Sequence, residues 1–307
     1  SRGLGDVYKR QEISTSISSG DLDGDGDKEV VFGTSNGVVY ALTKTGTVHM
    51  SYQQEDHIVD VPVLSDLDQD GDMEVIFISS NDSSSTLYAL HDTGDNVTGF
   101  PVIFSERIAA CPSIADLNNN MVLDIVIVTL NGNVYVVEAT GMYSTFSPLS
   151  IDDSFSEPAT IVDLDGDQDL EIIIGDNNGN IHILHYDGSL MNTFETDSEV
   201  NGGVYVAEID RNENMKLLIT GIDGLLHAWD PISNVEASGW PIDIGSPGVY
   251  EAITMDMDSD GDHEIMCVTG TNEIHLYHHD GTQYDNFPYV SQHMICLLYT
   301  SPSPRDS

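Results

Sequence analysis

Asp21-Leu-Asp23-Gly-Asp25-Gly-Asp27-Lys-Glu29 is an acidic nonapeptide that the chain repeats. Close copies run Asp66-Leu-Asp68-Gln-Asp70-Gly-Asp72-Met-Glu74, Asp163-Leu-Asp165-Gly-Asp167-Gln-Asp169-Leu-Glu171 and Asp256-Met-Asp258-Ser-Asp260-Gly-Asp262-His-Glu264. A softened copy keeps Asp116, Asn118, Asn120 and Asp124, and a decayed one runs from Glu208 through Asp210 to Lys216. Successive copies begin 45, 50, 47, 45 and 48 residues apart. A period of that size signals a propeller, solenoid or array.

Each interval reads as strands. In the fourth, residues 159–162 are a short apolar run ahead of the acidic loop. Residues 171–175 (Glu-Ile-Ile-Ile-Gly) are apolar on both faces, as in a buried strand. Asn178-Gly179 is a hairpin turn, 180–185 a third strand, Asp187-Gly188 a second turn and 189–194 a more polar fourth strand. Four antiparallel strands in under fifty residues make one propeller blade, and turns recur at Asn36-Gly37, Asn131-Gly132, Asp223-Gly224 and Asp280-Gly281. The fold class expected is all-β: a β-propeller of four-stranded antiparallel blades with six repeats present.

The loop chemistry points to calcium, which takes six to eight oxygens at about 2.3–2.6 Å. Carboxylates or amides at positions 1, 3 and 5 of a tight loop converge on one point. A main-chain carbonyl at position 7 adds a ligand, and the acid at position 9 closes the shell. In the first copy these are Asp21, Asp23, Asp25, the carbonyl of Asp27, and Glu29, with Gly26 allowing the sharp turn. An EF-hand closes at position 12 and continues into a helix; here a strand follows. The third loop has lost charge and glycine and should bind more weakly. In the fifth, the Lys216 ammonium stands where the closing acid would be. The expected complement is about four to five Ca2+ ions.

With these loops, and strands ending like Val30-Val-Phe-Gly33, the chain resembles the FG-GAP/VCBS repeat family. These are calcium-loop propellers that include the integrin α-chain head. Gly99-Phe-Pro-Val and Gly239-Trp-Pro-Ile resemble its secreted bacterial branch. The resemblance covers residues 12–295. It implies seven blades, with calcium loops between the first two strands of each, and extracellular binding or adhesion. The six repeats then read as a truncated seven-bladed propeller.

Residues 1–11 and 296–307 break the repeat. One DNA can encode both: a reverse translation of 1–11, read on its opposite strand and shifted by one base, yields Cys-Leu-Leu-Tyr-Thr-Ser-Pro-Ser-Pro-Arg, the sequence of 296–305. That DNA resembles a transposase-type sequencing adapter. The segments are read as non-native tails around a fragment spanning 12–295.

The whole chain carries a formal net charge of −43. Within 12–295 only Lys28, Lys44, Arg107, Arg211 and Lys216 are basic. Such a surface excludes nucleic acid and anionic membrane as partners, since both need clustered Lys and Arg. It suits a saline, calcium-rich milieu, so a secreted or cell-surface location is expected. No apolar run is long enough to span a bilayer. Cys111 and Cys267 occupy different repeat positions, so neither a bridge nor a zinc spacing is expected.

Other candidates carry less. His182, His227 and His275 share a third-strand position with Tyr40, Tyr88 and Tyr135, which points to ring packing rather than a three-histidine metal site. His278-His279 reads as a solvated turn, and Trp229 and Trp240 as packing residues rather than a sugar platform. No nucleophile motif or phosphate loop stands out. The expectation is a non-catalytic module that binds a protein or glycan outside the cell, through the variable segments 53–57, 105–107, 150–154 and 243–247. The alternatives are a propeller enzyme, quinoprotein-like or a polysaccharide lyase, and an accessory domain of a secreted hydrolase. Residues 88–94 faintly resemble a quinoprotein repeat but lack its closing Trp.

Overall fold

The computed structural model describes residues 12–293, apart from Asp152, Asp197, Asn212 and Glu213, with the main chain alone at Asn201 and Gly202. The tails 1–11 and 296–307 lie outside the described residues. Two compact units divide the chain at Pro158 and Ala159, and each holds three antiparallel sheets.

In the first unit, sheet one is Ser18–Gly20, Glu29–Gly33, Val38–Leu42 and Val48–Gln53. Sheet two is His57–Ser65, Glu74–Ser80, Ser85–Leu90 and Val102–Phe104, and sheet three is Ser113–Ala115, Asp124–Val128, Asn133–Glu138 and Leu149–Ser150. In the second unit, sheet four is Thr160–Val162, Glu171–Gly175, Asn180–Leu184 and Leu190–Glu195. Sheet five is Val200–Glu208, Met215–Gly221 and Leu225–Asp230, with its outer strand split into Val235–Glu236 and Ile242–Asp243, both paired to the third strand. Sheet six is Ile253–Met255, Glu264–Val268, Glu273–Tyr277 and Tyr289–Val290. Apart from Ile242–Asp243 in sheet five, every neighbouring pair is consecutive in sequence, and no helix occurs among the described residues.

Beyond their first residues the second strands are largely apolar, and in sheets two and five the second strand packs on two neighbours. Val75 and Phe77 join a cluster with Leu22, Val31 and Val39 of sheet one. Ile76 and Ile78, on the opposite face, join Ile125, Ile127 and Val137 of sheet three. The second unit repeats this: Leu217 and Ile219 pack on Ile173 and Ile181, while Leu218 packs with Ile265 and Cys267. Alternation along a strand sends successive side chains to opposite faces. A strand whose two faces are both covered therefore needs an unbroken apolar sequence.

The fourth repeat follows its sequence reading within a residue or two. The others show what that template missed. Only sheets one and four have long outer strands directly after the turn; elsewhere the outer strand, or in sheet five its second piece, comes late and spans two or three residues. These late strands follow Pro101, Pro148, Pro241 and Pro288, each after a cis peptide bond. Proline has no N–H to give to a ladder, which confines the strand to the few residues beyond it.

Candidate metal centres

All six acidic loops join the first and second strands of a sheet. The geometry is the same each time. Glu29 faces Gly20, Glu74 faces Ser65, Asp124 faces Ala115, Glu171 faces Val162 and Glu264 faces Met255, so the closing acid pairs with the residue just before the loop. These five acids are 0–6% exposed. One oxygen of each accepts the main-chain N–H of loop position 2: Leu22 at 3.2 Å, Leu67 at 2.7 Å, Leu117 at 3.3 Å, Leu164 at 2.8 Å and Met257 at 2.7 Å. Leu22, Leu67, Leu117 and Leu164 are themselves buried and pin the loop to the core. A charge taken from water this completely needs partners, and in Glu264 the second oxygen, Oε1, is buried without a hydrogen-bond partner.

The other carboxylates converge above it. Asp21, Asp23 and Asp25 bring oxygens within 4.8 Å of one another, as do Asp66, Asp68 and Glu74. Asp23 and Asp25 each use one oxygen to accept the N–H two residues on, and Asp165, Asp167, Asp258 and Asp260 do the same. Asp21 accepts from Gly26 and Asp256 from Gly261. In the softened loop, Asp116 accepts from Asn120 and Met121. These bonds leave Asp21 Oδ1, Asp66 Oδ1 and Asn118 Oδ1 buried without a hydrogen-bond partner. An orphaned, buried oxygen at the focus of an acidic loop fits a cation.

At position 7 of the first and sixth loops the side chains turn to basic neighbours: Asp27 pairs with Lys44, and Asp262 lies 3.1 Å from the Arg211 guanidinium and 3.3 Å from the His279 imidazole. Asp72 leans toward the first loop, where its Oδ1 lies 2.9 Å from the point a side chain on Gly24 would occupy. Local desolvation, then the charges of Asp70, Asp92, Asp23 and Asp21, raise its carboxyl above the usual range. Asp169, half-buried, donates its N–H to Asp167.

Burial sets the electrostatics of the closing acids. It raises Glu74 and Glu171 against the lowering hydrogen bonds from Leu67 and Leu164. Asp124 is pushed up to about 6, chiefly by burial, with the charges of Glu138 and Asp116 adding to it. Glu138 stands directly across the strand pair from Asp124, a like-charge pairing that costs the sheet stability there.

The fifth loop is inverted. Lys216 is 3% exposed. Its ammonium donates to the carbonyl of Asn214, at loop position 7, at 3.2 Å, and lies 3.5 Å from Asp230. Arg211, at position 4 of this loop, reaches Asp262 and Asp260 of the sixth.

Two features escaped the sequence reading. Position 4 is left-handed as well as position 6, including at Gln69, Asn119, Arg211 and Ser259. And three histidines face closing acids: His91 Nδ1 lies 3.2 Å from Glu74 Oε1, His185 Nδ1 3.3 Å from Glu171 Oε1, and His278 Nδ1 3.5 Å from Glu264 Oε1. The signal was in the turns His91-Asp-Thr-Gly94, His185-Tyr-Asp-Gly188 and His278-His-Asp-Gly281. His278 is thus more than a solvated turn residue.

The remaining candidates are framework. His182 binds Asp176 at 2.9 Å, His227 binds Glu236 at 2.5 Å and His275 binds the Tyr277 hydroxyl at 3.0 Å, each within its own sheet. Trp229 is buried, and Trp240 packs near Tyr277 while donating to the His279 carbonyl. Of the variable segments, 53–57, 105–107, 150–154 and 243–247 lie by the turns between second and third strands, at the end of each sheet away from the acidic loops. Glu106 there is buried and accepts from Thr129, Asn133 and Tyr135. Burial alone would raise it, and these bonds outweigh that and hold it below its usual value. It clamps a turn and is withdrawn from any contact surface.

No protein-family profile matches the chain, and no curated protein matches it in sequence. Many solved structures match its fold. BBS1N in complex with ARL6DN aligns at TM-score 0.61 and 10% identity over 86% of this chain and 79% of that one. Rhamnogalacturonan lyase YesW aligns at TM-score 0.64 and 17% identity over 88% of this chain and 57% of its own. BamB from Moraxella catarrhalis gives 0.59 and 15%, over 90% and 78%. At these identities the likeness is one of fold alone: an all-β propeller of four-stranded antiparallel blades.

Proposed function

We propose that the chain is a calcium-stabilised propeller of the FG-GAP/VCBS type, working outside the cell as a non-catalytic binding module. The observation that carries this reading is the buried closing acid. Glu29, Glu74, Asp124, Glu171 and Glu264 each sit at the start of a core strand with one oxygen on a loop N–H, and Glu74, Glu171 and Glu264 lie within 4.8 Å of other loop donors. Asp21, Asp23, Asp25 and Glu29, with the carbonyl of Asp27, would hold the first ion, and the second, fourth and sixth loops would follow the same pattern. An ion there neutralises acids that otherwise repel at close range, and ties the first strand to the second.

Recognition then falls to the opposite ends of the blades, where segments 53–57, 150–154 and 243–247 vary in sequence on a rigid frame. The net charge of −43 favours cationic or calcium-bridged protein partners, and glycans that need no positive host charge. BBS1N, a structure of the same fold class, is itself bound to a protein. The test sets binding to extracellular proteins and glycans beside turnover of polysaccharides and quinone-linked alcohols, all in calcium. Calcium-dependent binding without turnover is expected. Robust turnover lost on substitution of one cleft residue would replace this reading with an enzyme.

A further inference from the structure

We infer that the second, fourth and sixth loops form a separate class of site, able to take a borderline transition-metal ion of the zinc type through His91, His185 and His278. The inference rests on the carboxylate loops just described but does not require that calcium be their resident ion.

The histidines share one structural position. Each directly follows the third strand of its sheet, where the registers Val75–Leu90, Ile172–Leu184 and Ile265–Tyr277 continue to set it across from the closing glutamate. The glutamates are 0–1% exposed and each commits Oε2 to a loop N–H. Only Oε1 remains for a ligand, and in Glu264 it is buried with no hydrogen-bond partner. The imidazoles come to that oxygen from the solvent side, about one-third exposed. A third donor is in reach: Asp165 with Glu171 and His185, Asp258 with Glu264 and His278, and Asp68 with Asp70 and His91, each set within 4.8 Å. In the sixth blade, Tyr284 stacks on His278 at 4.4 Å and donates its hydroxyl to Asp258 at 3.1 Å, which fixes two of the donors.

The donor set decides the class of ion. Calcium and magnesium take oxygen, whereas imidazole suits Zn2+, Co2+, Ni2+ and Cu2+. Bonds of about 2.0–2.2 Å in a tetrahedral shell put neighbouring donors about 3.4 Å apart. The Nδ1–Oε1 separations of 3.2, 3.3 and 3.5 Å match that edge. One imidazole and two carboxylate oxygens leave the fourth position for water. The other blades serve as internal controls, with Thr43, Glu138 and Asp230 at the equivalent place.

The experiment is a Co2+ titration of the metal-free full chain, read by visible absorption and native mass spectrometry, with a parallel Ca2+ titration. One Co2+ per histidine-bearing loop is expected. His91→Asn, His185→Asn and His278→Asn should each remove one Co2+ and leave the Ca2+ count unchanged. Thr43→His should add a fourth Co2+ in the first blade, a gain that misfolding cannot mimic. A Co2+ count untouched by all three asparagine substitutions, or unchanged by Thr43→His, overturns the inference even with calcium bound in full. Co2+ held at the three loops in a chain that binds no Ca2+ would support it and defeat the calcium reading.

Discussion

Lys216 Nζ lies 3.5 Å from Asp230 Oδ2, at the pair of strand positions that glutamate and histidine occupy in the second, fourth and sixth blades. The fifth blade has exchanged an acid for a cation and a histidine for an acid. Its ammonium also sits on the Asn214 carbonyl, so this loop carries a covalently attached cation of its own.

Removing one partner should therefore cost far more than removing both. Asp230→Ala leaves a buried ammonium short of its counter-ion and should destabilise by roughly 2–4 kcal/mol. Lys216→Met combined with Asp230→Asn should cost about 1 kcal/mol or less. Denaturant midpoints of the single and double variants measure the coupling. Additive losses would remove the pair from the account.

The sites should be unequal. Asp23→Ala, Asp68→Ala, Asp165→Ala and Asp258→Ala should each lower the calcium count by one, and Asn118→Ala should remove a weaker ion. Asp210→Ala should change nothing, because Lys216 fills that loop. Native mass spectrometry counts the ions directly, and a tight ion lost with Asp210 would contradict the substitution argument.

In chelator, the protein should be more stable near pH 5 than near pH 7.5. Burial raises Asp124 to about 6, and raises Glu74 and Glu171 as well. Between the unfolded value near 4 and these raised values, the native state binds more protons than the unfolded state. Stability then falls as pH rises, by roughly 1–1.5 kcal/mol for Asp124 between pH 5 and pH 7.5. Glu106 and Asp176 lie below their usual values, so their contribution is full above pH 5 and is lost only on further acidification. Calcium should flatten the slope above pH 5. Melting curves at the two pH values, with and without calcium, check both signs.

Met121 and Gln168 occupy position 6 of their loops at φ of 68° and 81°, where the first, second and sixth loops have glycine. A left-handed side chain costs about 1–2 kcal/mol, part of which glycine returns through unfolded-state entropy. Met121→Gly, at a side chain 77% exposed, and Gln168→Gly should each stabilise by about 0.5–1 kcal/mol, whereas the alanine variants should not.

The strand order of a blade was legible because periodicity, turns and loops agree in repeat four. Residues 171–175 read as a strand apolar on both faces, and in the equivalent strand of sheet two Val75 and Phe77 join one cluster while Ile76 and Ile78 join another. The convergence of the loop acids was legible from spacing, and Asp21, Asp23 and Asp25 do bring oxygens within 4.8 Å of one another. The late outer strands were not, because Phe100-Pro101 and Trp240-Pro241 displace a pairing that involves few residues. Nor were the histidines. His91 and Glu74 are 17 residues apart and meet only through the register of the second and third strands.

The central claim is that ions in the closing-acid loops hold the blades together. Its most direct test is the thermal midpoint of the chain in excess calcium against excess chelator, at neutral pH and fixed ionic strength. The account predicts a midpoint higher in calcium that rises with free calcium concentration, as binding to the native state alone requires. Superimposable curves in calcium and chelator would contradict it.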